Sequence, residues 1–409
     1  MPELEIISGG SGIAACTRVE AAVRRALTQY LAGAEPAPLC LIAPNNTPDA
    51  VREEVRALGY PPHTGVLMRT SGSTSGTGKI VALSWDSLIA SAHATHQALD
   101  GPQVWACELP YHHIAGFQTI VRTVLVDLSG ELQTLDNSSG KSPLYARALS
   151  LANPEAVANQ IADLTKFYLS VVPTQLARIL ADPQLCAMLS SACFLVGGAF
   201  TQETLLEAAK QRGLQIHTSY GMTETCGGCV YDGLPIGDTA IHIDEADGRV
   251  HLASSSVALG YCGGHDPHVL ADRSPRVHIT NDVGVFDGEY LRILGRADDA
   301  ITTGGLTVHP QLIESAITRT GWTSIVVGVP DETWGEAVVA VIDDTDRPAQ
   351  SCDITVIRSW VKSELGIGWS PRYVLTLHSL ATHWPMTDSG KINRRHVQQL
   401  AQEYLAAHI

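Results

Sequence analysis

The sequence predicts an α/β protein with a large N-terminal domain and a small, mobile α+β C-terminal domain. Three observations predict this fold. Apolar runs of strand length alternate with helical periodicity up to about residue 230, which indicates mixed or parallel sheets covered by helices. Gly, Asp and short β-type runs then dominate, as in a small β subdomain. After Gly295 helices and strands mix again, over about a hundred residues, which is enough for a separate domain. We place the domains at 1–297 and 298–409.

The elements follow from local periodicity in chain order. Apolar residues three or four apart predict helices, and short apolar or β-branched runs predict strands. In the first domain, helices are predicted at 13–32, 49–59, 87–99, 115–127, 174–182 and 201–213, and strands at 38–44, 64–68, 80–85, 104–110, 167–173, 192–199 and 215–221. In the second, helices are predicted at 309–320, 353–366 and 394–408, and strands at 324–330, 336–343 and 373–377.

The composition excludes several classes of protein. The chain has 409 residues, is 45% hydrophobic and carries a net charge of −15, so it has no electrostatic footprint for nucleic acid or anionic lipid. Its first residues, MPELEIISGG, lack the basic start and apolar core of a signal peptide. No apolar run approaches the roughly 20 residues that cross a bilayer. The nine scattered Cys indicate reduced thiols. We therefore expect a cytoplasmic protein without membrane insertion.

The stretch RTSGSTSGTGK at 69–79 is a Gly- and hydroxyl-rich loop between two apolar runs. Backbone N–H groups and hydroxyls in such a loop suit a phosphate, and Lys79 adds charge. The alternative is a solvated Ser/Gly loop. A Walker A loop is excluded, because the residue that should be its first Gly is Ser73 and Ile80 follows the Lys.

Two stretches of the first domain add candidate groups, each with a structural alternative. In HTSYGMTETCGG at 217–228, a strand is predicted to enter a turn at Tyr220-Gly221, where an aromatic ring can stack on a base and Glu224 can hold Mg²⁺. The alternative is a buried Tyr at an ordinary strand exit. In LPYHHIAGFQTIVR at 109–122, paired His precede a helix. A lone His is more often a satisfied interior residue than a catalyst.

Two later stretches of the sequence also carry candidate functional groups, each with a structural alternative. In 278–310, Asp282 is predicted at a strand end, where a carboxylate can accept ribose hydroxyls, and Arg296, Asp298 and Asp299 form a charged turn. The alternative is a polar interdomain linker. WPMTDSGKINR at 384–394 is a loop carrying Lys391, and a lone loop Lys is usually solvated.

Taken together and in this order, these stretches resemble motifs of the adenylate-forming superfamily of acyl-CoA synthetases, luciferases and nonribosomal adenylation domains. The resemblance runs from about residue 65 to the C-terminus. The matching motifs are TSGSTSGTGK, PYHHIAG, VGGA at 196–199, YGMTE, TND at 280–282, GRADDAITTGG and PMTDSGK. Three departures stand out: Gly78 where the family usually has Pro, a loop one residue longer before Lys79, and Asn281 where it has Gly. The short portion before the loop looks most like the compact o-succinylbenzoate–CoA ligases of actinobacterial menaquinone biosynthesis.

The resemblance implies an ATP-dependent acid–CoA ligase that uses Mg²⁺ and acts through an acyl-adenylate. The implied ATP-binding residues are Thr70, Ser71, Gly72, Ser73, Thr74, Lys79, Gly198, Ala199, Tyr220, Gly221, Asp282 and Arg296. The implied catalytic residues are Lys391, Glu224, Thr223 and His113, with Glu224 as the metal ligand. Asp298 matches the hinge, and Gly304 and Gly305 match the CoA channel.

For the acid, we predict contacts from His113, Gln118, Arg122 and Gly221. Gln118 and Arg122 lie four apart and share a helix face, and a guanidinium suits the second carboxylate of o-succinylbenzoate. The alternative for Arg122 is a surface salt bridge. A rival feature is the pair of runs Cys226–Cys229 and Cys262–His265, whose spacing resembles a structural zinc site.

Three alternatives stay open. The chain is a ligase for another aryl or fatty acid, an adenylation protein that loads a carrier-protein thiol, or a nucleotide-binding homologue without catalysis. The oligomeric state is also open, with a homodimer as one alternative.

Overall fold

The structure is a computed structural model that describes residues 3–70, 78–130, 132, 144–264, 266–270, 272–345, 353–386 and 392–408. Helices were numbered in chain order. They are α1 (Ile13–Leu31), α2 (Pro48–Leu58), α3 (Trp85–Ala98), α4 (Ile114–Ser129), α5 (Pro154–Ile161), α6 (Pro173–Ala181), α7 (Pro183–Met188), α8 (Glu203–Gln211), α9 (Pro310–Thr318), α10 (Ile354–Leu365), α11 (Leu377–Leu380) and α12 (Arg394–His408).

Strands were numbered in the same way. The first eleven are β1 (Glu5–Ser8), β2 (Leu39–Ile42), β3 (Val66–Arg69), β4 (Ile80–Leu83), β5 (Trp105–Cys107), β6 (Arg147–Ala148), β7 (Phe167–Val171), β8 (Ala192–Gly197), β9 (Gln215–Met222), β10 (Gly227–Tyr231) and β11 (Leu234–Pro235). The others are β12 (Ala240–Ile243), β13 (Arg249–Ala253), β14 (Gly260–Tyr261), β15 (Val269–Leu270), β16 (Val277–Phe286), β17 (Leu291–Arg296), β18 (Ile301–Thr303), β19 (Leu306–Val308), β20 (Ser324–Asp331), β21 (Gly335–Ile342) and β22 (Tyr373–Thr376).

Two mixed sheets dominate the first part of the chain. The first has the order β1-β2-β3-β4-β14, and the second has the order β11-β10-β9-β8-β7-β5-β6. In the second sheet β5, β7, β8 and β9 are parallel neighbours. Carboxyl ends of parallel strands meet at one edge of a sheet, which is where α/β proteins bind ligands. The ends of β8 and β9 are therefore a natural place for a site.

Helix α4 is buried along most of its length. Its apolar residues Phe117, Ile120, Val121 and Val124 are inaccessible to solvent and belong to the same core as α1, α3 and one face of the first sheet. The polar residues in the middle of the helix are buried as well, namely Gln118, Thr119, Arg122 and Thr123. The middle of α4 is therefore covered on all sides, and its polar side chains lie in the interior.

The chain consists of two compact units. The first is Met1–Ile243, His251–Thr280 and Phe286–Leu291, and the second is Asp244–Val250, Asn281–Val285 and Arg292–Ile409. The third sheet has the order β12-β13-β16-β15, with β17 paired to β16. It is the small β part predicted after residue 230. The predicted boundary at 297/298 and the mobility of the C-terminal part stay predictions.

The second unit contains the fourth sheet, with the order β19-β18-β21-β20 and β22 beside β21. Alternate residues of β21 serve two cores. Val338 and Ala340 pack with α9 and α10, whereas Val339 and Val341 pack with α12. The alternation follows from the two-residue period of a strand. Among the described residues, none of the helices has the length and apolarity that a bilayer crossing requires.

Most of the predicted elements are present, and the short elements were missed. The strand β1 was not predicted, because four residues beginning with Glu5 carry little local signal and depend on pairing with β2. The helix α5 was also missed, although Asn153 accepts a hydrogen bond from Ala156 N and Pro154 opens the helix. An Asn-Pro pair of this kind is a readable helix start.

Candidate functional site

The Gly-rich loop joins the antiparallel strands β3 and β4. Arg69 pairs with Ile80, and Thr70 N donates to Lys79 O at 2.9 Å, which closes the base of the loop. Ser71, Gly72, Ser73 and Thr74 lie outside the described residues, so their predicted phosphate contacts stay predictions. At the base of the loop, a Cβ on Gly78 would overlap the carbonyl oxygen of Thr70. The two arms of the loop are therefore too close at this point to admit a residue with a Cβ.

Lys79 is held by two groups that were not predicted. Its side chain is 57% exposed and forms an ion pair with Asp266. The ammonium also lies 4.9 Å from the centre of the Tyr261 ring, within the range of a cation–π contact. Asp266 and Tyr261 therefore fix the position of the Lys79 ammonium.

The YGMTE motif lies at the end of β9, and the predicted turn at Tyr220-Gly221 is wrong. Strand β9 continues to Met222 because both residues are paired to β10, and the turn is a 3₁₀ segment at Thr223–Thr225. Thr225 Oγ1 accepts from Met222 N at 3.0 Å and donates to Gly227 O at 2.7 Å. These bonds fix the turn that carries Thr223 and Glu224.

The glycine turn of VGGA lies beside the strand that carries Tyr220. Gly197, the last residue of β8, pairs with Ser219 of β9, the residue before Tyr220. Gly198 and Ala199 then leave the sheet and are exposed. These residues and the YGMTE turn therefore meet at the carboxyl edge of the second sheet.

Glu224 is anchored at both its backbone and its side chain. Its carbonyl accepts from Ala258 N at 2.8 Å, and its Oε1 accepts from the Tyr261 hydroxyl at 2.7 Å. Mg²⁺ in nucleotide sites uses one or two carboxylates together with phosphate oxygens and water. A single anchored carboxylate next to a phosphate-type loop fits that ligand set.

His113 is the N-cap residue of α4 and is half-buried, so it stands at the start of the helix that carries the predicted acid contacts. Its ring centre is 4.4 Å from that of His112. His112 Nδ1 accepts from Gly10 N at 3.0 Å, and burial lowers the pKa of this imidazole. His112 is therefore fixed by the fold and in turn packs against His113.

Arg122 is 3% exposed, so the surface salt bridge considered for it is wrong. Its guanidinium lies 4.5 Å from the Trp105 ring centre and interacts electrostatically with the Tyr231 hydroxyl. Burial lowers the pKa of Arg122, and Tyr231 acts in the opposite direction. No carboxylate pairs with Arg122 in the part of the chain that the structure describes, and its Nε has no hydrogen-bond partner there.

Gln118 lies one turn before Arg122 and is also buried, at 1% exposure. Its Nε2 donates to Cys226 O at 2.8 Å, whereas its Oε1 has no hydrogen-bond partner within the described residues. A Cβ on Gly227 would lie 3.6 Å from Gln118 Cγ and 3.9 Å from Arg122 Nη2. Gln118 and Arg122 therefore share a face of α4, and this face lies against Gly227, which follows the YGMTE motif.

The cysteine-rich runs do not form a metal cluster in the described residues. No group of three or more His, Cys, Asp or Glu side chains is placed there to hold an ion. Cys226 and Cys229 are fully buried, and burial raises the pKa of both thiols, to about 12 for Cys229. His265, the fourth residue of the proposed set, lies outside the described residues, as does Lys391.

The second unit places Asp282 beside Arg296. Asp282 lies inside β16, so its predicted position at a strand end is wrong; pairing with β17 and β13 carries the strand on to Phe286. Arg296 Nη1 is 3.9 Å from Asp282 Oδ1, and Arg296 donates to both oxygens of Asp298 at 2.8 and 2.9 Å. Burial acts to raise the pKa of Asp298, but the Arg296 hydrogen bonds outweigh it and the pKa is lowered. The predicted ribose and hinge residues are thus joined by one guanidinium.

Gly304 and Gly305 form the two-residue turn between β18 and β19. Their φ angles are +56° and +83°, as a tight hairpin turn requires. The ring of Trp334 lies where a Cβ on Gly304 would project. The predicted role of this turn at the CoA channel stays a prediction.

Comparison with known proteins gives one family match, to the AMP-binding enzymes, over residues 57–261. A protein of Mycobacterium tuberculosis named probable 2-succinylbenzoate–CoA ligase is 32% identical over 379 residues, which cover 90% of this chain and 92% of that protein. The 2-succinylbenzoate–CoA ligase of Enterococcus faecalis is 27% identical, over 80% of this chain and 67% of that protein.

Solved structures show the same fold. The o-succinylbenzoate CoA synthetase MenE of Bacillus subtilis, in complex with the acyl-adenylate OSB-AMP, matches with a TM-score of 0.69 at 20% identity, over 97% of this chain and 88% of that chain. The same enzyme with ATP and magnesium matches with a TM-score of 0.71 at 19% identity, over 96% and 88%. The predicted α/β fold is therefore confirmed.

Proposed function

Because the chain belongs to the AMP-binding enzyme family and is similar to 2-succinylbenzoate–CoA ligases along most of its length, we propose that it joins o-succinylbenzoate to CoA. The overall reaction converts o-succinylbenzoate, ATP and CoA to o-succinylbenzoyl-CoA, AMP and diphosphate. The product belongs to menaquinone biosynthesis. The cytoplasm as the location and a homodimer as the assembly stay predictions.

The choice of acid is carried by one observation, the buried guanidinium of Arg122 with no acidic partner among the described residues. A buried cation is unfavourable unless an anion or several hydrogen bonds compensate it. o-Succinylbenzoate has a second carboxylate on its aromatic ring, in addition to the one that is activated. Arg122 supplies the charge for that group. The Nε2 of Gln118, one turn away, already donates to Cys226 O, so the predicted contact of Gln118 with the acid stays a prediction.

The first half-reaction activates the aliphatic carboxylate. A carboxylate oxygen attacks the α-phosphorus of ATP, the bond to the β,γ-diphosphate breaks, and an acyl-adenylate forms. In-line attack at phosphorus depends on positioning and charge stabilisation more than on covalent help from the protein. Lys79 and the loop at 70–79 hold the β- and γ-phosphates, Tyr220 stacks on adenine, and Thr223 contacts the α-phosphate.

Other groups complete the site. Glu224 holds Mg²⁺, which when bound neutralises phosphate charge. Asp282 and Arg296 bind the ribose. Lys391 bridges the carboxylate and the α-phosphate as the pentavalent state forms. Preorganised donors of this kind contribute about 3–4 kcal/mol each, so loss of Lys391 reduces adenylation at least a hundredfold.

The second half-reaction transfers the acyl group to CoA. The CoA thiolate attacks the acyl carbon, the C–O bond to AMP breaks, and the thioester forms. By resemblance, the C-terminal part turns about Asp298 between the two steps, so that Lys391 leaves and the turn at Gly304 and Gly305 faces the thiol channel. His113 lies between the acyl pocket and that channel.

The proposal is tested by ATP–pyrophosphate exchange with a panel of acids and with the K391A variant. We expect strong exchange with o-succinylbenzoate, none with benzoate or fatty acids, and loss of exchange in the variant. CoA as acceptor is tested separately, by measuring formation of the thioester when CoA is added with ATP and o-succinylbenzoate. Exchange only with another acid would keep the ligase chemistry and reject the substrate. No exchange with any acid would favour a nucleotide-binding protein without catalysis.

A further inference from the structure

Tyr261 lies between the two charged groups that are proposed to hold the metal-bound phosphates. Its hydroxyl donates to Glu224 Oε1 at 2.7 Å, and the Lys79 ammonium lies 4.9 Å from its ring centre. The side chain is 6% exposed. Tyr261 belongs to none of the motifs that carry the resemblance, and neither contact was predicted from the sequence.

The backbone around Tyr261 is fixed by regular pairing. Strand β14 is antiparallel to β4, with Tyr261 opposite Val81. Leu259 N donates to Ala82 O, and Cys262 N donates to Ile80 O, both at 2.9 Å. Since Lys79 directly precedes β4, its ammonium and the Tyr261 ring are held together by the sheet.

The same segment fixes Glu224 at its other end. Ala258 N donates to Glu224 O at 2.8 Å, so residues 258–262 connect the YGMTE turn with the strand that leaves the phosphate loop. Backbone and side-chain bonds therefore act on Glu224 from one segment, and they limit both its position and the rotation of its carboxylate.

The hydroxyl is placed to act as a donor, because it lies 2.7 Å from Glu224 Oε1. A carboxylate that accepts one hydrogen bond at a single oxygen is oriented and keeps acceptor capacity for a cation. Partners that orient a metal-binding side chain contribute strongly to metal affinity.

We propose that Tyr261 is a positioning residue that orients Glu224 for Mg²⁺ and keeps the Lys79 ammonium beside it, so that the protein binds metal-bound ATP in preference to metal-free ATP. The inference rests on the proposed function, because that function assigns Glu224 to the metal and Lys79 to the phosphates. A purely structural hydroxyl would add to stability without distinguishing the two forms of ATP.

The test measures ATP affinity by isothermal titration calorimetry with Mg²⁺ and with EDTA, in the wild type and in Y261F. The measured quantity is the Mg²⁺ gain, defined as the ratio of the two dissociation constants. Y261F removes the hydroxyl and keeps the ring under Lys79. We expect it to reduce the Mg²⁺ gain by about 10- to 100-fold, the usual effect of removing such a partner, with a smaller change in affinity for metal-free ATP.

Y168F is the matched control. The Tyr168 hydroxyl donates to Gly101 O at 2.7 Å, and the side chain is 2% exposed. This substitution removes one buried hydroxyl with the same hydrogen-bond length from the same unit. We expect it to lower the melting temperature and leave the Mg²⁺ gain unchanged.

A second measurement examines whether Tyr261 acts through Glu224. E224Q should lower the Mg²⁺ gain, and adding Y261F to it should produce no further loss, because coupled residues are not additive. The inference would be overturned if Y261F lost affinity equally for both forms of ATP, or if the double variant showed a full further loss of the Mg²⁺ gain. In either case, ATP binding by the wild type would leave the proposed function standing. A wild type that binds no ATP would instead reject the proposed function, and the inference with it.

Discussion

The substitution R122M separates a substrate-binding arginine from a structural one. Met is close to Arg in length and fills the space beside Trp105 without a charge. The structure gives Arg122 an aromatic face at 4.5 Å and the Tyr231 hydroxyl, but no carboxylate among the described residues. Replacing a buried charge by an apolar group of similar volume is often neutral or stabilising. We therefore expect the melting temperature of R122M to equal or exceed that of the wild type.

The effect on substrate should be large and selective. A hydrogen bond to a charged group contributes about 1.5–3 kcal/mol, which corresponds to a loss of roughly 10- to 150-fold in kcat/KM for o-succinylbenzoate. 4-Oxo-4-phenylbutanoate has the same activated carboxylate and lacks the ring carboxylate. Its kcat/KM should change little, so the preference for o-succinylbenzoate should fall close to one. Pyrophosphate exchange with both acids measures this preference.

R24M is the control for loss of a partly buried arginine. Arg24 of α1 forms ion pairs with Glu20 and Asp127, so its removal leaves two acidic groups without their cation. It should lower the melting temperature and leave the preference between the two acids unchanged. Equal losses with both acids in R122M, together with a lower melting temperature, would show that Arg122 is structural and that the reasoning from its missing partner is wrong.

Three further outcomes follow from the structure. G78P places ring atoms against a carbonyl oxygen across the base of the loop, so the KM for ATP in pyrophosphate exchange should rise, and an unchanged KM would contradict this. G221A brings a Cβ onto a carbonyl oxygen of the neighbouring strand; overpacking costs about 1–3 kcal/mol, and an unshifted urea midpoint would be inconsistent with it. The hydrogen bond to Asp232, and that to Cys193, raise the pKa of His217 to about 10. The stabilisation of the fold by protonated His217 should be complete below about pH 6.5, the pKa of His in the unfolded chain. It should be lost as the pH rises through about 10, the pKa of His217 in the folded protein. The difference in free energy of unfolding between wild type and H217N should therefore shrink over that range, and a constant difference would argue against the ion pair.

Elements with strong local periodicity were predictable, and elements that depend on distant partners were not. The helix at 13–32 and the strand at 324–330 appear at almost the predicted bounds, as α1 and β20, because their apolar spacing is a local property. The end of β9 was placed too early, since Tyr220 and Gly221 are held in the strand by β10. A Gly can also stand in a strand where the backbone of a neighbouring strand lies too close for a side chain, as it does at Gly221, so a Gly in the sequence does not by itself indicate a turn.

The candidate site shows the same limit. Glu224 and Lys79 were recognised within their motifs, but their partners were not. Tyr261 is 37 residues from Glu224, and Asp266 is 187 residues from Lys79. Neither partner stands in a run with a spacing that indicates a role. The pairing of β14 with β4 brings Tyr261 to the site, and that pairing has no local signature in a two-residue strand.

The burial of Arg122 could not be predicted from the local pattern. The general preference of Arg for the surface favoured a salt bridge. In the run IAGFQTIVRTVLV, the polar residues Gln118, Thr119, Arg122 and Thr123 lie on one side of the helix, as they would on a solvated face. The structure buries this side together with the apolar one. The described residues place an aromatic ring and a hydroxyl beside the guanidinium but no carboxylate, and this arrangement is why we propose that the ring carboxylate of the acid compensates its charge.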